Sequence, residues 1–279
     1  MPDGIHTLNV GAITCTVIGD GTSQIPDIAE LFPDVPSDEL EAVVRGLGQH
    51  PSNITNSFNM LLIETDGQRV LVDTGLGDSP RDGLGLLRER MVAAGFPLET
   101  IDLVFITHFH GDHIAGLTNS DNAPNFPNAR YACVQAEWDA WMSEEALANL
   151  PEAFAERLQA MMLPLKDKFT LLEFGDVIAP GVTAIDAKGH TAGHTALLIE
   201  SEGETLFHMV DTLHRQLQFQ DPSWSIRFDS QPDISPITRR ELLQRSADNG
   251  WLTLFYHLPF PGLGHVQVEA DGFKWVPIV

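Results

Sequence analysis

The sequence predicts an α/β domain, and three observations carry that reading. Apolar runs of strand length, such as Leu103-Val104-Phe105-Ile106, alternate with amphipathic stretches of helical period. Histidines and aspartates stand just past the ends of several of those runs, where α/β proteins place ligand-binding loops. Across all 279 residues there is no internal repeat, low-complexity tract or linker, so one domain over 1–279 is expected.

Taken in order, Thr7–Gly19 alternates apolar and polar residues as an outer strand ending in Asp20-Gly21-Thr22. Residues 23–57 carry Pro26, Pro33, Pro36 and Pro51 and read as an irregular segment, a cover over the site or a dimer surface. A short helix near Asp38–Leu47, preceded by Ser37, interrupts it. Phe58–Glu64 and Arg69–Asp73 form a hairpin through Asp66-Gly67. Asp73 either orients a metal-bound histidine or caps a turn. Asp82–Ala94 is an amphipathic helix stopped by Gly95. Strand Ile101–Ile106 follows, then a short strand Arg130–Val134 and helices over Glu137–Ser143 and Pro151–Leu163. Trp138 and Trp141 either line a pocket or pack in the core. Strands Phe169–Leu172, Val182–Asp186, Thr195–Glu200 and Thr205–Val210 come next. Helix Ile237–Asn249 stops at Gly250, Trp251–Tyr256 is a strand, and a hairpin closes the chain to Val279.

Composition narrows the function. Lys and Arg number 16 against 39 Asp and Glu, a net charge of −23. That surface repels nucleic acid and anionic membranes and suits a small neutral substrate. The two cysteines, Cys15 and Cys133, sit inside strands and read as core thiols rather than a disulfide framework. Met1 to His6 has neither a basic nor a long apolar leader, and no apolar run reaches spanning length, so a cytoplasmic protein is expected.

Thr107-His108-Phe109-His110-Gly111-Asp112-His113 concentrates three histidines and an aspartate within six residues. Imidazole and carboxylate form a donor set for zinc and related divalent ions. Three further strand ends supply His190, Asp211 and His257. One ion takes about three or four protein ligands, so seven candidates imply two divalent ions. His214, three residues after Asp211, is either a donor to substrate or an exposed loop histidine. Leu213, Phe219, Trp224 and Trp141 are candidate pocket walls.

His-x-His-x-Asp-His, then Gly189-His190-Thr191-Ala192-Gly193-His194, then a strand-terminal Asp211 and a late His257, resembles the metallo-β-lactamase superfamily. The resemblance runs nearly the whole chain and includes Asp73-Thr74-Gly75. It implies an αββα sandwich of two mixed β-sheets flanked by helices, with the site on one edge. It assigns His108, His110 and His190 to one ion and Asp112, His113 and His257 to the other. Asp211 bridges, and His194 supports. Gln218 to Ser223, Phe228-Asp229-Ser230 and His257-Leu258-Pro259-Phe260-Pro261-Gly262 are similar to the methyl parathion hydrolase branch, as are Glu137 and Trp141. That branch includes organophosphate hydrolases and lactonases, and the resemblance also implies a homodimer.

Two cations about 3.5–4 Å apart would share a water and lower its pKa, giving a bridging hydroxide as nucleophile. Asp112 is the residue expected to orient that water and move its proton. The expected function is therefore hydrolysis of neutral esters or lactones, of the acyl-homoserine lactonase kind, with zinc the first choice among zinc, manganese, cobalt and iron. A phosphotriesterase is the alternative within the same chemistry. A mononuclear iron persulfide dioxygenase using His108, His190 and Asp211 is the alternative from another class, and the presence of His257 and Asp112 opposes it.

Overall fold

A computed structural model describes residues 3–79, 81 and 83–278. Two mixed seven-stranded sheets lie against each other, flanked by helices. The first sheet runs in sequence order: β1 (Ile5–Val10), β2 (Ile13–Asp27), β3 (Ser52–Thr65), β4 (Gln68–Val72), β5 (Leu103–Phe105), β6 (Arg130–Val134) and β7 (Phe169–Leu172). The second sheet holds β8 (Val177–Ala179), β9 (Val182–Asp186), β10 (Thr195–Ser201), β11 (Glu204–Val210), β12 (Leu252–Phe255), β13 (Leu263–Glu269) and β14 (Gly272–Pro277), again in sequence order.

The parallel pairs are β4 to β7 in the first sheet and β11 with β12 in the second; the other neighbours are antiparallel. β4, β5 and β6 pair in parallel, and β5 is buried on both faces, which is why Leu103-Val104-Phe105 shows no polar alternation. β10 and β11 are also buried along most of their length, and their residues alternate between two apolar layers. Leu197, Ile199, Leu206 and Val210 face the core between the sheets, while Leu198, Phe207 and Met209 join a second apolar layer. The helix over Ser235–Asn249 covers that layer with Leu242 and Leu243. Each such side chain contributes about 1.5–3 kcal/mol of transfer free energy.

The helices are α1 (Ser37–Gly46), α2 (Leu87–Ala93), α3 (Gly111–Ile114), α4 (Gln135–Met142), α5 (Glu144–Asn149), α6 (Glu152–Met162), α7 (Leu217–Gln220) and α8 (Ser235–Asn249). α8 ends where Gly250 adopts φ 64°, the left-handed cap the sequence marks.

Three expectations change. The single strand expected over Thr7–Gly19 is two, because Gly11 at φ 54° turns the chain between Val10 and Ile13. Residues 23–57 are not an irregular segment. β2 and β3 extend as a paired arm from Thr22↔Ser57 to Asp27↔Ser52, and Pro26 is accommodated there because that end of β2 has β3 as its one partner strand. Ile28, Phe32, Leu40 and Val44 from this segment pack with Leu217, Trp224 and Ile226 in a third apolar cluster. The helix expected over Asp82–Ala94 begins at Leu87; Asp82 lies outside the described residues, as do Met1, Pro2 and Val279. Its start is set from elsewhere: Leu87 N–H donates to Asp20 Oδ1 at 2.6 Å and Leu76 N–H to Asp20 Oδ2 at 2.7 Å. Among the described residues no helix is long and apolar enough to cross a membrane.

Candidate metal centre

The C-terminal ends of β4, β5, β9, β11 and β12 meet at one edge of the sandwich. β4 delivers Asp73, β5 the 107–113 loop with α3, β9 the loop holding His190, β11 Asp211 and β12 His257. The ligand atoms of His108, His110 and His190 lie within 4.8 Å of one another, and so do those of Asp112, His113 and His257. Asp211 stands between the groups. Its Oδ2 is 3.7 Å from His108 Nε2, 3.3 Å from His113 Nε2, 3.4 Å from His190 Nε2 and 3.3 Å from His257 Nε2. All seven residues that the sequence marks are therefore in one cluster.

Hydrogen bonds behind the rings fix which nitrogen faces inward. His113 Nδ1–H donates to Asp73 Oδ2 at 2.8 Å, and Asp73 also accepts from the Thr107 amide and hydroxyl. His190 Nδ1–H donates to Asp229 Oδ1 at 2.9 Å, and His257 Nδ1–H to the Ser57 carbonyl at 3.0 Å. His110 differs: its Nδ1 points inward, 2.8 Å from His190 Nε2. Asp229 is itself held by Ser235 Oγ at 2.7 Å and by the buried Arg239 guanidinium at 3.2 Å. Asp73 is thus an orienting residue rather than only a turn cap.

Electrostatics suit cations. Burial holds the pKa of His108 well below its ordinary value and brings that of His110 to about 3 and of His190 to about 4, so these rings are neutral donors near pH 7. Burial alone would raise Asp211, but His257, His113 and His214 hold it well below the usual carboxylate range. Burial alone would lower His113, yet Asp211, Asp73 and Asp112 hold it well above its ordinary value, so this spot attracts positive charge. The buried Nε2 atoms of His108 and His113 and Oδ1 of Asp211 have no hydrogen-bond partner among the described residues. Buried polar atoms are seldom left so, and bare donors converging on common points fit divalent ions.

His214 is not an exposed loop histidine. It is 4% exposed, its Nε2 lies 3.2 Å from Asp211 Oδ2, and its ring stacks on His257 at 5.2 Å. His194 supports from behind: the Asp211 amide donates to its Nε2 at 3.1 Å, and its Nδ1–H donates to the Ala187 carbonyl at 2.8 Å. Tyr256, which sequence reasoning passed over, stacks on His113 at 4.0 Å and donates to the Asp112 carbonyl at 2.5 Å. Its signal was its place directly before His257 at a strand end.

A cavity of about 680 Å³ opens over the cluster and reaches His110, Asp112, His190, Asp211, His214 and His257. Its apolar wall includes Phe58, Phe109, Phe154, Met161, Ile226 and Phe228. The expected wall residues Leu213, Phe219, Trp224 and Trp141 do not line it. Phe219 packs on Phe255 and Trp275, Leu213 lies in the layer under α8, and Trp224 belongs to the cluster beneath the β2–β3 arm. Trp138 packs in the core against Phe169, and Trp141 stands edge-on to His110. An aromatic residue near a site motif is drawn to the closest apolar layer, which here is the core.

The two-sheet sandwich with a His/Asp cluster at its edge, taken with the lactonase and metallo-hydrolase relatives that follow, marks a metal-dependent hydrolase. The chain belongs to the metallo-β-lactamase superfamily, whose profile matches residues 57–232. An N-acyl homoserine lactonase of Bacillus cereus is 26% identical over 249 residues, covering 81% of this chain and 88% of the relative. An atrochrysone carboxyl ACP thioesterase of Passalora fulva is 26% identical over 72% of this chain, which spans about half (51%) of that relative. Among solved structures, AidC, a dizinc quorum-quenching lactonase in complex with a product, superposes with a TM-score of 0.91 at 28% identity, covering 99% of this chain and 98% of its own. The hydrolase AbOPH superposes at 0.90 and 28% identity, covering 100% and 99%.

Proposed function

We propose that the protein is a dinuclear hydrolase of neutral lactones and esters, with acyl-homoserine lactones the leading substrate class. The observation that carries the reading is Asp211 Oδ2, set 3.3–3.7 Å from the inward nitrogens of four candidate ligand histidines. That arrangement supports a carboxylate oxygen that two ions would share. His108, His110 and His190 would hold one, Asp112, His113 and His257 the other, and zinc is the first choice. When bound, such ions supply a water of lowered pKa and polarise the electrophile's oxygen.

The chain's own residues do the rest. Asp112, a quarter exposed at the cavity floor, accepts and passes on the proton of the attacking water. His214 faces both Asp211 and the cavity, where its N–H can donate to the substrate or the leaving group. The aromatic wall excludes water and seats an acyl chain. AidC, which superposes over nearly the whole chain, supports the lactone assignment.

A phosphotriester hydrolase is the second reading, since Phe58, Phe109, Phe154 and Phe228 also suit an aryl leaving group. A mononuclear site would leave the Asp112–His113–His257 cluster without a task. The test is a panel of acyl-homoserine lactones, aryl esters and an aryl phosphotriester ranked by kcat/KM, with metal counted per chain. Lactones should lead with about two ions per chain. A phosphotriester ranked first overturns the substrate class, and one ion per chain overturns the dinuclear centre. We take the active form to be a homodimer, which light scattering checks against the 30.7 kDa chain.

A further inference from the structure

Glu137 is fully buried, yet it lies outside the ligand set. It enters on the first turn of α4, and its carboxylate joins the two loops that carry His108, His110 and His190. Oε1 accepts the Phe109 amide at 2.8 Å, between the first two of those histidines. Oε2 accepts the Thr191 hydroxyl at 2.6 Å and the Gly193 amide at 2.9 Å, just past the third. The second loop is pressed onto the helix so closely that a Cβ at Gly193 would stand 2.1 Å from the Glu137 nitrogen. Between the two loops His110 Nδ1 and His190 Nε2 face each other at 2.8 Å. None of these three hydrogen bonds reaches the segments bearing Asp211 or His257, and Asp112 and His113 stand beyond the held amide, on α3, where Asp73 rather than Glu137 accepts from His113.

We infer that Glu137 is a positioning residue which sets the spacing of His108 and His110 against His190, and so governs one ion of the pair selectively. Resting on the dinuclear reading, the inference adds to it an asymmetry between the ions. Both carboxylate oxygens are needed. The Phe109 and Gly193 amides approach opposite oxygens, so a glutamine in either orientation points its NH₂ at a backbone N–H. Asp73 does the matching work on the other side through His113.

The experiment titrates zinc into metal-free wild type, Glu137→Gln and Leu243→Ala in competition with a chromophoric chelator. Leu243 is buried under α8 and serves as a control for lost stability. In Glu137→Gln one zinc should bind about tenfold or more weakly while the other keeps its wild-type constant. Leu243→Ala should keep both constants. Two unchanged constants in Glu137→Gln, or equal weakening of both, overturn the inference. If Glu137→Gln does not fold, Thr191→Val removes one of the three hydrogen bonds. It should weaken one zinc by a few-fold, and unchanged constants there overturn the inference equally. Wild-type protein that binds a single zinc sinks the dinuclear reading. Glu137 is then judged by whether its glutamine variant weakens that ion.

Discussion

Asp73 and His113 form a hydrogen bond of 2.8 Å in which the ring's outer N–H is held by a carboxylate that also accepts the Thr107 amide and hydroxyl. The bond ties a strand end of the first sheet to the ligand loop beside it. Asp73→Asn presents an amide where His113 needs an acceptor or leaves Thr107 without one. We expect kcat/KM to fall about 10- to 100-fold with zinc content reduced. Unchanged activity with full metal would show that the ring is oriented by something else.

Asp211 and His194 are joined by a bond from the Asp211 amide to His194 Nε2, and their variants should separate ligand from support. Asp211→Asn removes the central carboxylate charge and should lower kcat/KM by about 1,000-fold or more, with metal lost. His194→Ala strands a buried amide, costing about 1–3 kcal/mol of stability, with a smaller loss of activity. The reverse order of activities would mean that the ligand assignment is wrong.

His208, mid-strand in β11, donates through Nδ1 to the Leu254 carbonyl at 3.2 Å, and burial brings it down to about 4 from an ordinary 6.5. The folded chain therefore refuses a proton that the unfolded chain accepts. Its contribution is fully present above pH 6.5 and drains away as pH falls towards 4, on the order of 3 kcal/mol in all. Urea midpoints of metal-free protein at pH 7 and pH 5 measure it. His208→Leu should make the difference smaller without abolishing it, since His110, His190 and His194 are depressed by burial as well, and an equally steep loss in that variant would exclude this source.

Phe228 lines the cavity yet is 46% exposed, so it offers binding surface without bearing on the reacting groups. Phe228→Ala should raise KM for long-chain acyl-homoserine lactones about fivefold, with kcat within about twofold, because the lost contact is equal in ground and transition states. A drop in kcat at constant KM would place this ring against the reaction centre.

The clustering of the candidate ligands was legible because these residues follow a local rule. His108, His190, Asp211 and His257 each stand just past an apolar run, and strand ends can be read from neighbours in the chain. What failed depended on distant partners. Glu137 is marked in the sequence only by the family resemblance, and its task is unreadable until Phe109 and Gly193 are seen against it. The start of α2 could not be found at Asp82, since its cap comes from Asp20 on another strand. The β2–β3 arm was obscured by prolines that a strand end with a single partner tolerates. The pocket wall was misjudged because Phe219 and Trp224 are as aromatic as Phe154 and Phe228, and only packing decides which face a cavity.

The meeting of strand ends at one edge also divides the candidate ligands between the two halves of the molecule. His108, His110, Asp112 and His113 belong to the first sheet, and His190, Asp211 and His257 to the second. Neither half owns a complete set for either ion under the proposed assignment with Asp211 shared. Ions bound there would act as a clamp across the seam, so affinity for metal and cohesion of the sandwich become one quantity. Free zinc at 100 times its dissociation constant would add about 2.7 kcal/mol to unfolding. A chelator would then loosen the joint between the sheets as well as stop turnover, and a Tm that ignores zinc would show that the seam closes without it.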